Sequence, residues 1–164
     1  MAHNLRALIS SQDALIAIAD KWILAEVEGL SQSFGLLKLS DALLDDINEL
    51  VANVGTDPFP EFDYLSASLH EVLLAEAHHS PLVYLETDYF GGVGFQSAMI
   101  YQDHQVLQLP LKTSDIWHQK DYIYEQVPEG DRAINCVLKR IGVTCRSGQD
   151  EFDSLMLAKY RSVD

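Results

Sequence analysis

Residues 81–109 read PLVYLETDYFGGVGFQSAMIYQDHQVLQL, and this stretch decides the fold class. Over 81–90, aromatic and β-branched residues alternate with others. Val83, Leu85, Thr87 and Tyr89 therefore take one face of a strand, and Tyr84, Glu86, Asp88 and Phe90 take the other. Gly91, Gly92 and Gly94 break the run, supplying the positive φ that a hairpin needs. Residues 97–101 predict a second strand, 102–105 a turn, and 106–109 a third strand stopped by Pro110. A fourth falls at 122–126. Connections this short imply an antiparallel meander.

Working outward, the period changes to that of helices. Residues 11–28 predict a first helix, capped by Ser10 with Asp13 three positions on, carrying Leu15, Ile18, Ala19, Trp22 and Ile23 and ended by Gly29. Residues 30–39 form an apolar connector with room for a short strand. Ser40 caps a second helix, with Asp41 in its first turn, where the helix dipole favours an anion. Leu43, Leu44, Ile47, Leu50, Val51 and Val54 make one stripe along it, and Gly55 stops it. A third helix is expected over 60–78, with Pro60 in its first turn and Phe62, Leu65, Leu69, Val72 and Leu73 inward. Beyond the sheet, 131–141 carries Ile134, Val137, Leu138 and Ile141 on one side, and Gly142 ends it. Residues 150–159 give a last short helix. The reading is one α+β domain over 1–164: helical 10–78, an antiparallel meander of three to four strands over 81–126, and helical 130–160.

The chain has the usual size of one domain and is long enough to fold around an apolar core without metal or disulfide staples. Cys136 and Cys145 fit a reducing compartment; whether they pair is left open by the sequence. No run of about 18 apolar residues exists to span a membrane, and Met1-Ala2-His3-Asn4-Leu5-Arg6 has no apolar stretch of signal-peptide length. A cytoplasmic protein is expected.

Charge is the strongest global feature. Eleven basic and 25 acidic residues give a net charge of −14, six basic against 21 acidic in residues 1–138 and five against four in 139–164. Such a field repels phosphate backbones, which argues against nucleic-acid binding. It would attract and steer a basic protein, although solubility alone also accounts for acidic charge.

Chemistry-bearing patterns are few. The glycines of 91–94 are followed by strand and not by a helix, with Glu86 and Asp88 nearby to repel phosphate, so they do not read as a phosphate loop. Glu86 and Asp88 share a strand face and could serve acid–base work only with a pocket that separates their pKa values. No base or nucleophile stands at a telling spacing, and an exposed face is expected. His70-Glu71 opens like a zinc helix, but position 74 is Leu. Glu71, Glu76, His78 and His79 could converge at a helix end, where histidines already have a dipole reason to sit. There is no G-x-S-x-G elbow, and Cys136 lies near an apolar stripe. No catalytic residue, metal ligand or cofactor is assigned, and an enzyme is the less favoured class. The candidate contact residues are Glu86, Asp88, Tyr89, Phe90, Gly91, Gly92, Gly94 and Trp117, because exposed aromatics beside acids and a hairpin make a good binding patch.

Three segments, residues 86–98 (ETDYFGGVGFQSA), 134–143 (INCVLKRIGV) and 150–155 (DEFDSL), together resemble a group of uncharacterised bacterial proteins, some of which look like immunity proteins carried beside polymorphic toxins. The resemblance covers about the C-terminal half and carries over no catalytic residue. It implies a protein that occludes a toxin, and acidic charge agrees, since many such toxins are basic nucleases. The expected function is an intracellular acidic binding protein with a basic protein partner. The alternatives are a small-ligand-binding protein or enzyme of unknown reaction, and a homodimeric structural component.

Overall fold

The computed structural model describes residues 3–160. Its centre is a seven-stranded antiparallel sheet in the order β2-β3-β1-β4-β5-β6-β7, formed by β1 (His3–Ser11), β2 (Val27–Gly29), β3 (Phe34–Lys38), β4 (Leu82–Phe90), β5 (Val93–Gln102), β6 (Gln105–His118) and β7 (Ile123–Val127). Helices α1 (Gln12–Ala19), α2 (Asp41–Val51) and α3 (Ala67–Glu76) cover one face, and α4 (Ala133–Arg140) and α5 (Glu151–Ser154) the other. The α+β class and the four strands after residue 81 agree with the sequence reading. The count of three to four strands does not, because the N-terminal region contributes three more.

β1 is the main correction. The first residues, read only for a signal peptide, form a strand between β3 and β4, with Leu5 opposite Thr87 and Ile9 opposite both Leu36 and Val83. Both faces of β1 and β4 are covered, so burial runs unbroken over Leu5–Ser10 and Leu82–Thr87, and alternation of polar and apolar residues is lost as a signal. The helix expected over 11–28 is shorter: Ser11, not Ser10, accepts the capping bond from Ala14 N (3.4 Å), the helix stops at Ala19, and Val27–Gly29 pairs with β3. Ile23 is exposed in the turn between them.

The stripe on α2 is inward at Leu43, Leu44 and Ile47, under the Ser40 cap, but Leu50 and Val54 face solvent. That helix ends at left-handed Ala52, before Gly55. α3 begins at Ala67 behind the Ser66 cap, not at Pro60. The reason lies in the sheet. The Glu86 carboxylate accepts the backbone N–H groups of Asp63 (2.8 Å) and Tyr64 (2.9 Å), and Ser97 Oγ donates to Glu61 O (2.6 Å). Backbone groups that a helix would have used are committed to side chains of β4 and β5, while Phe62 and Leu65 still enter the core from the loop.

Pro110 does not end β6. Ala98 pairs with Leu111 and Ile100 with Gln108, so β6 holds one extra residue there, a bulge where a proline is tolerated. β7 pairs only with Ser114–His118, which leaves the first part of β6 as an edge.

The hairpin between β4 and β5 has Phe90 opposite Val93 and a two-residue turn of Gly91 and Gly92, both with positive φ. Gly94 is held at φ +153° opposite Tyr89, where an added Cβ would lie 2.0 Å from the Asp88 carbonyl oxygen. The atoms it would meet are backbone, so relieving the overlap requires the paired strands to shift. Gly94→Ala is expected to cost about 2–3 kcal/mol, as for a residue forced into a disallowed conformation. Urea unfolding followed by circular dichroism reads this directly, and a loss under about 0.5 kcal/mol, the level of an ordinary surface change, would contradict the geometry.

Candidate functional site

The cleft of interest opens on the α4 side of the sheet, at the end where β6 and β7 extend beyond the helices. Its volume is about 490 Å³, and its wall includes His3, Thr87, Tyr89, Gln96, Asp115, Tyr124, Arg132, Asn135, Asp150 and Phe152, with Gly92 at the rim. Register explains the gathering. His3 stands opposite Tyr89, Gly94 opposite both Tyr89 and Asp115, and Asp115 opposite Gln126, so these positions share one face across four strands and β7.

The N-terminus of α4 supplies the charge. Its cap residue is Arg132, whose side chain makes no capping bond. The sheet does that work instead: Thr113 Oγ1 accepts Ala133 N–H (3.2 Å) and Gln96 Oε1 accepts Ile134 N–H (2.9 Å). Arg132 is thereby free to form a two-pronged pair with Asp115, Nη2 to Oδ1 at 3.0 Å and Nη1 to Oδ2, while Nη1 also donates to the Tyr89 hydroxyl at 3.0 Å. Burial alone would raise the Asp115 carboxyl. The Arg132 hydrogen bonds and charge, with the Tyr89 hydroxyl, outweigh it and hold Asp115 below its ordinary 3.8. Burial, reinforced by Asp115, raises the Tyr89 phenol above its ordinary value.

The remaining walls are equally tied. Asn135 Nδ2 donates to Asp150 (2.8 Å), and its Oδ1 accepts Phe152 N–H (3.0 Å), bolting α5 to α4. His3 Nδ1 meets Thr87 Oγ1 at 2.7 Å, and its ring lies against Phe152. Tyr124 leans over the hairpin turn, its hydroxyl donating to Gly91 O (3.1 Å) and its ring above Gly92, where an added Cβ would touch it at 3.4 Å. Trp117 packs against Tyr124 with ring centres 4.7 Å apart, and Tyr122 stands edge-on to Trp117 at 6.1 Å.

The expected contact residues are divided by the pleat. Tyr89 and Gly92 line the cleft, Gly91 meets it through Tyr124, and Trp117 stands behind Tyr124. Asp88 and Phe90 face the opposite side, with Phe90 81 % exposed. Gly94 serves the ladder. Glu86 is a correction: it is buried, not exposed, and besides Asp63 and Tyr64 it accepts Tyr84 OH at 2.5 Å. Burial raises its carboxyl above the ordinary value although these three donors pull it back. Asp115, Arg132 and Tyr124 carried no local signal in the sequence. Asn135, Asp150 and Phe152 lie in segments quoted for the resemblance but read there as ordinary helix.

The acidic groups thought able to converge on a metal are used elsewhere. Glu71 accepts from Asn53, Glu76 pairs with Lys21 (2.7 Å), and His79 pairs with Asp103 (2.9 Å). Among the described residues no group of three or more His, Cys, Asp or Glu is placed to hold a metal ion. Cys136 and Cys145 are unpaired. Burial, with Asp131 nearby, raises the Cys136 thiol, and a hydrogen bond with Glu151 raises that of Cys145, so neither is an activated nucleophile.

A second, acidic groove of about 430 Å³ lies on the other face, with Asp41, Asp45, Asp57, Asp63 and Tyr64 around Arg6. Arg6 is buried, pairs with Asp41 (2.6 Å) and lies 4.1 Å from the Tyr64 ring centre. No Lys or Arg occurs between Lys38 and Lys112, so the α2–α3 surface carries acidic charge without cations of its own.

Comparison with known proteins finds no matching family model, curated protein or solved structure. Among the described residues no helix is long and apolar enough to cross a membrane.

The Asp115–Arg132 pair has a pH signature. Because the folded carboxyl is held below 3.8, the pair contributes stability that is complete above that value and lost as pH falls through the lowered one. Asp115→Asn is expected to remove about 1–2 kcal/mol at neutral pH, the range for a charge-assisted hydrogen bond in a partly open site, and to flatten the acid limb of the stability curve. Equal acid limbs for the two proteins would show that the pair is too solvated to matter.

Proposed function

We propose that this protein is an acidic binding protein that captures and neutralises a basic protein partner, in the manner of an immunity protein, using the open end of its sheet. The observation that carries the reading is the exposure of Trp117, Tyr122 and Tyr124 beside the cleft, in a molecule whose central strands are covered on both faces. Large aromatic side chains supply contact area at low entropic cost and are the commonest anchors of protein interfaces. The charge of −14 supports a basic partner, drawn in by long-range attraction. The three segments that resemble a group of uncharacterised bacterial proteins, some of them immunity-like, add support, because Tyr89, Gln96, Asn135, Asp150 and Phe152, drawn from all three, line the same cleft. The polar groups there favour recognition over catalysis: Asp115 and Arg132 are committed to each other, and among the described residues neither cysteine thiol is activated.

Capture from the native host's lysate on the tagged protein, washed at low and at high salt, tests the reading. One basic protein is expected at low salt and depleted at high salt, with Kd weakened roughly 30-fold by Tyr124→Ala or Trp117→Ala, the effect of an interface hot spot of about 2 kcal/mol. No partner at either salt, or capture indifferent to both substitutions, would overturn it.

A small-ligand role is the second reading, favoured by one observation: the cleft has the size of a ligand pocket and gathers Tyr89, Arg132, Asn135 and Asp150 at its walls. It predicts that some member of a metabolite panel raises the melting temperature, and that Arg132→Gln abolishes the rise. A flat response across the panel would remove it.

A further inference from the structure

We propose that the free edge of β7 is a docking site for an extended segment of the basic partner, which would join the sheet as an eighth strand with a Lys or Arg opposite Glu125 and apolar side chains opposite Ile123 and Val127. The proposal rests on the basic-partner reading and names the surface and the local chemistry that reading requires.

The sheet treats its edges unequally. An exposed edge strand offers unpaired N–H and C=O groups to any other chain, and natural sheets blunt such edges with short strands, prolines, lysines or bulges. β2, at one side, is only three residues long. The uncovered first part of β6 has Pro110, a bulge and Lys112. β7, five residues long, has no proline, lysine or bulge inside it. Its residues are Ile123, Tyr124, Glu125, Gln126 and Val127, and its one charge is Glu125. Ile123 is 54 % exposed, Tyr124 57 % and Val127 43 %, with Tyr122 just before them at 78 %. No described element covers it.

The register defines what a visiting strand would meet. Tyr124 stands opposite Trp117 and Gln126 opposite Asp115, on the cleft face; Ile123, Glu125 and Val127 stand opposite His118, Ile116 and Ser114, on the other. A strand laid beside β7 continues both faces, with alternate side chains against the Trp117–Tyr124 pair and against the Ile123–Glu125–Val127 row. The row asks for an apolar, basic, apolar pattern at every second residue. Glu125 accepts a hydrogen bond from His118 through one oxygen, and its half-exposed carboxylate keeps acceptor capacity that a cation opposite would use.

A second copy of this chain is the poorer occupant. Full antiparallel overlap of two β7 strands centres on Glu125 and sets it opposite its own copy, and like charges directly opposite are destabilising. Each copy also carries −14.

The test uses short blocked peptides and amide hydrogen exchange read by NMR on the whole protein. The first peptide has lysine at its centre, valine two positions to either side and threonine elsewhere. The second replaces the lysine with glutamate, and the third places proline at alternate positions so that it cannot pair. The lysine peptide is expected to slow exchange of β7 amides about tenfold at ten times its Kd, and the other two to leave it unchanged. Glu125→Lys should reverse the preference, so that the glutamate peptide protects and the lysine peptide does not, with the remaining spectrum unaltered. Binding of the lysine peptide in the groove around Asp41 and Asp63, with β7 unaffected, would overturn the docking site and leave the basic-partner reading standing. Absence of any perturbation at low salt would also overturn the docking site, and the lysate capture then judges the wider reading separately. Protection of β7 that rises with protein concentration and needs no peptide would overturn it too, assigning the edge to a second copy.

Discussion

Strand β4 sits at the middle of the sheet with a filled layer on either side, and each of its buried side chains is committed to one layer or the other. This pleat sets the shape of both layers. Tyr84 and Glu86 go toward the three N-terminal helices, Leu85, Thr87 and Tyr89 toward the two C-terminal ones. A carboxylate in the first layer has to be satisfied there, and Glu86 is: two loop amides and the Tyr84 hydroxyl take its oxygens. Desolvation still wins in part, since the carboxyl remains above its ordinary value. The loop before α3 is shaped by that demand. Arg6, opposite Glu86 in register, is a costlier buried charge. Asp41 and the Tyr64 ring offset part of its desolvation, yet its Nε and Nη1 atoms have no partner.

The second layer ends short of β7, and the cleft is the consequence. α4 is anchored by Thr113 and Gln96, which do the work usually given to an N-cap side chain. That division of labour leaves the Arg132 guanidinium to bind Asp115 and orient Tyr89. The pair is bidentate and braced by a hydroxyl. Its two charges are largely cancelled, which leaves the aromatic rim as the part of the site with unspent contact area.

Charge and edge act at different ranges. The overall negative field falls off over about 8 Å at physiological salt, so it would act on the encounter with a basic chain and on its salt sensitivity without choosing a register. Register and specificity require short-range pattern, and the apolar row broken by Glu125 on β7 is such a pattern. The same charge that would bring in a basic chain discourages this protein from pairing with itself through an edge that lacks other protection.

The α+β class, the hairpin at Gly91 and Gly92, and the helices behind Ser40 and ahead of Gly142 were legible in the sequence, because each depends on local physics: alternation, positive φ, a capping hydroxyl, a terminating glycine. β1 was not. Its partner β4 lies some eighty residues away, and a strand buried on both faces has no polar alternation to betray it. The helix expected at Pro60 failed for the same kind of reason, since Glu86 claims the amides of Asp63 and Tyr64 from across the fold. Of the expected contact residues, Tyr89, Gly92 and Trp117 belong to the cleft region, Phe90 and Asp88 to the opposite face, and Glu86 to the interior. Composition by itself determined the sign and size of the net charge. Only the tertiary structure decided which aromatics meet, that Arg132 finds Asp115, and that no described element covers the edge of β7. Those facts depend on strand order and register, which arise from contacts between segments far apart in the chain.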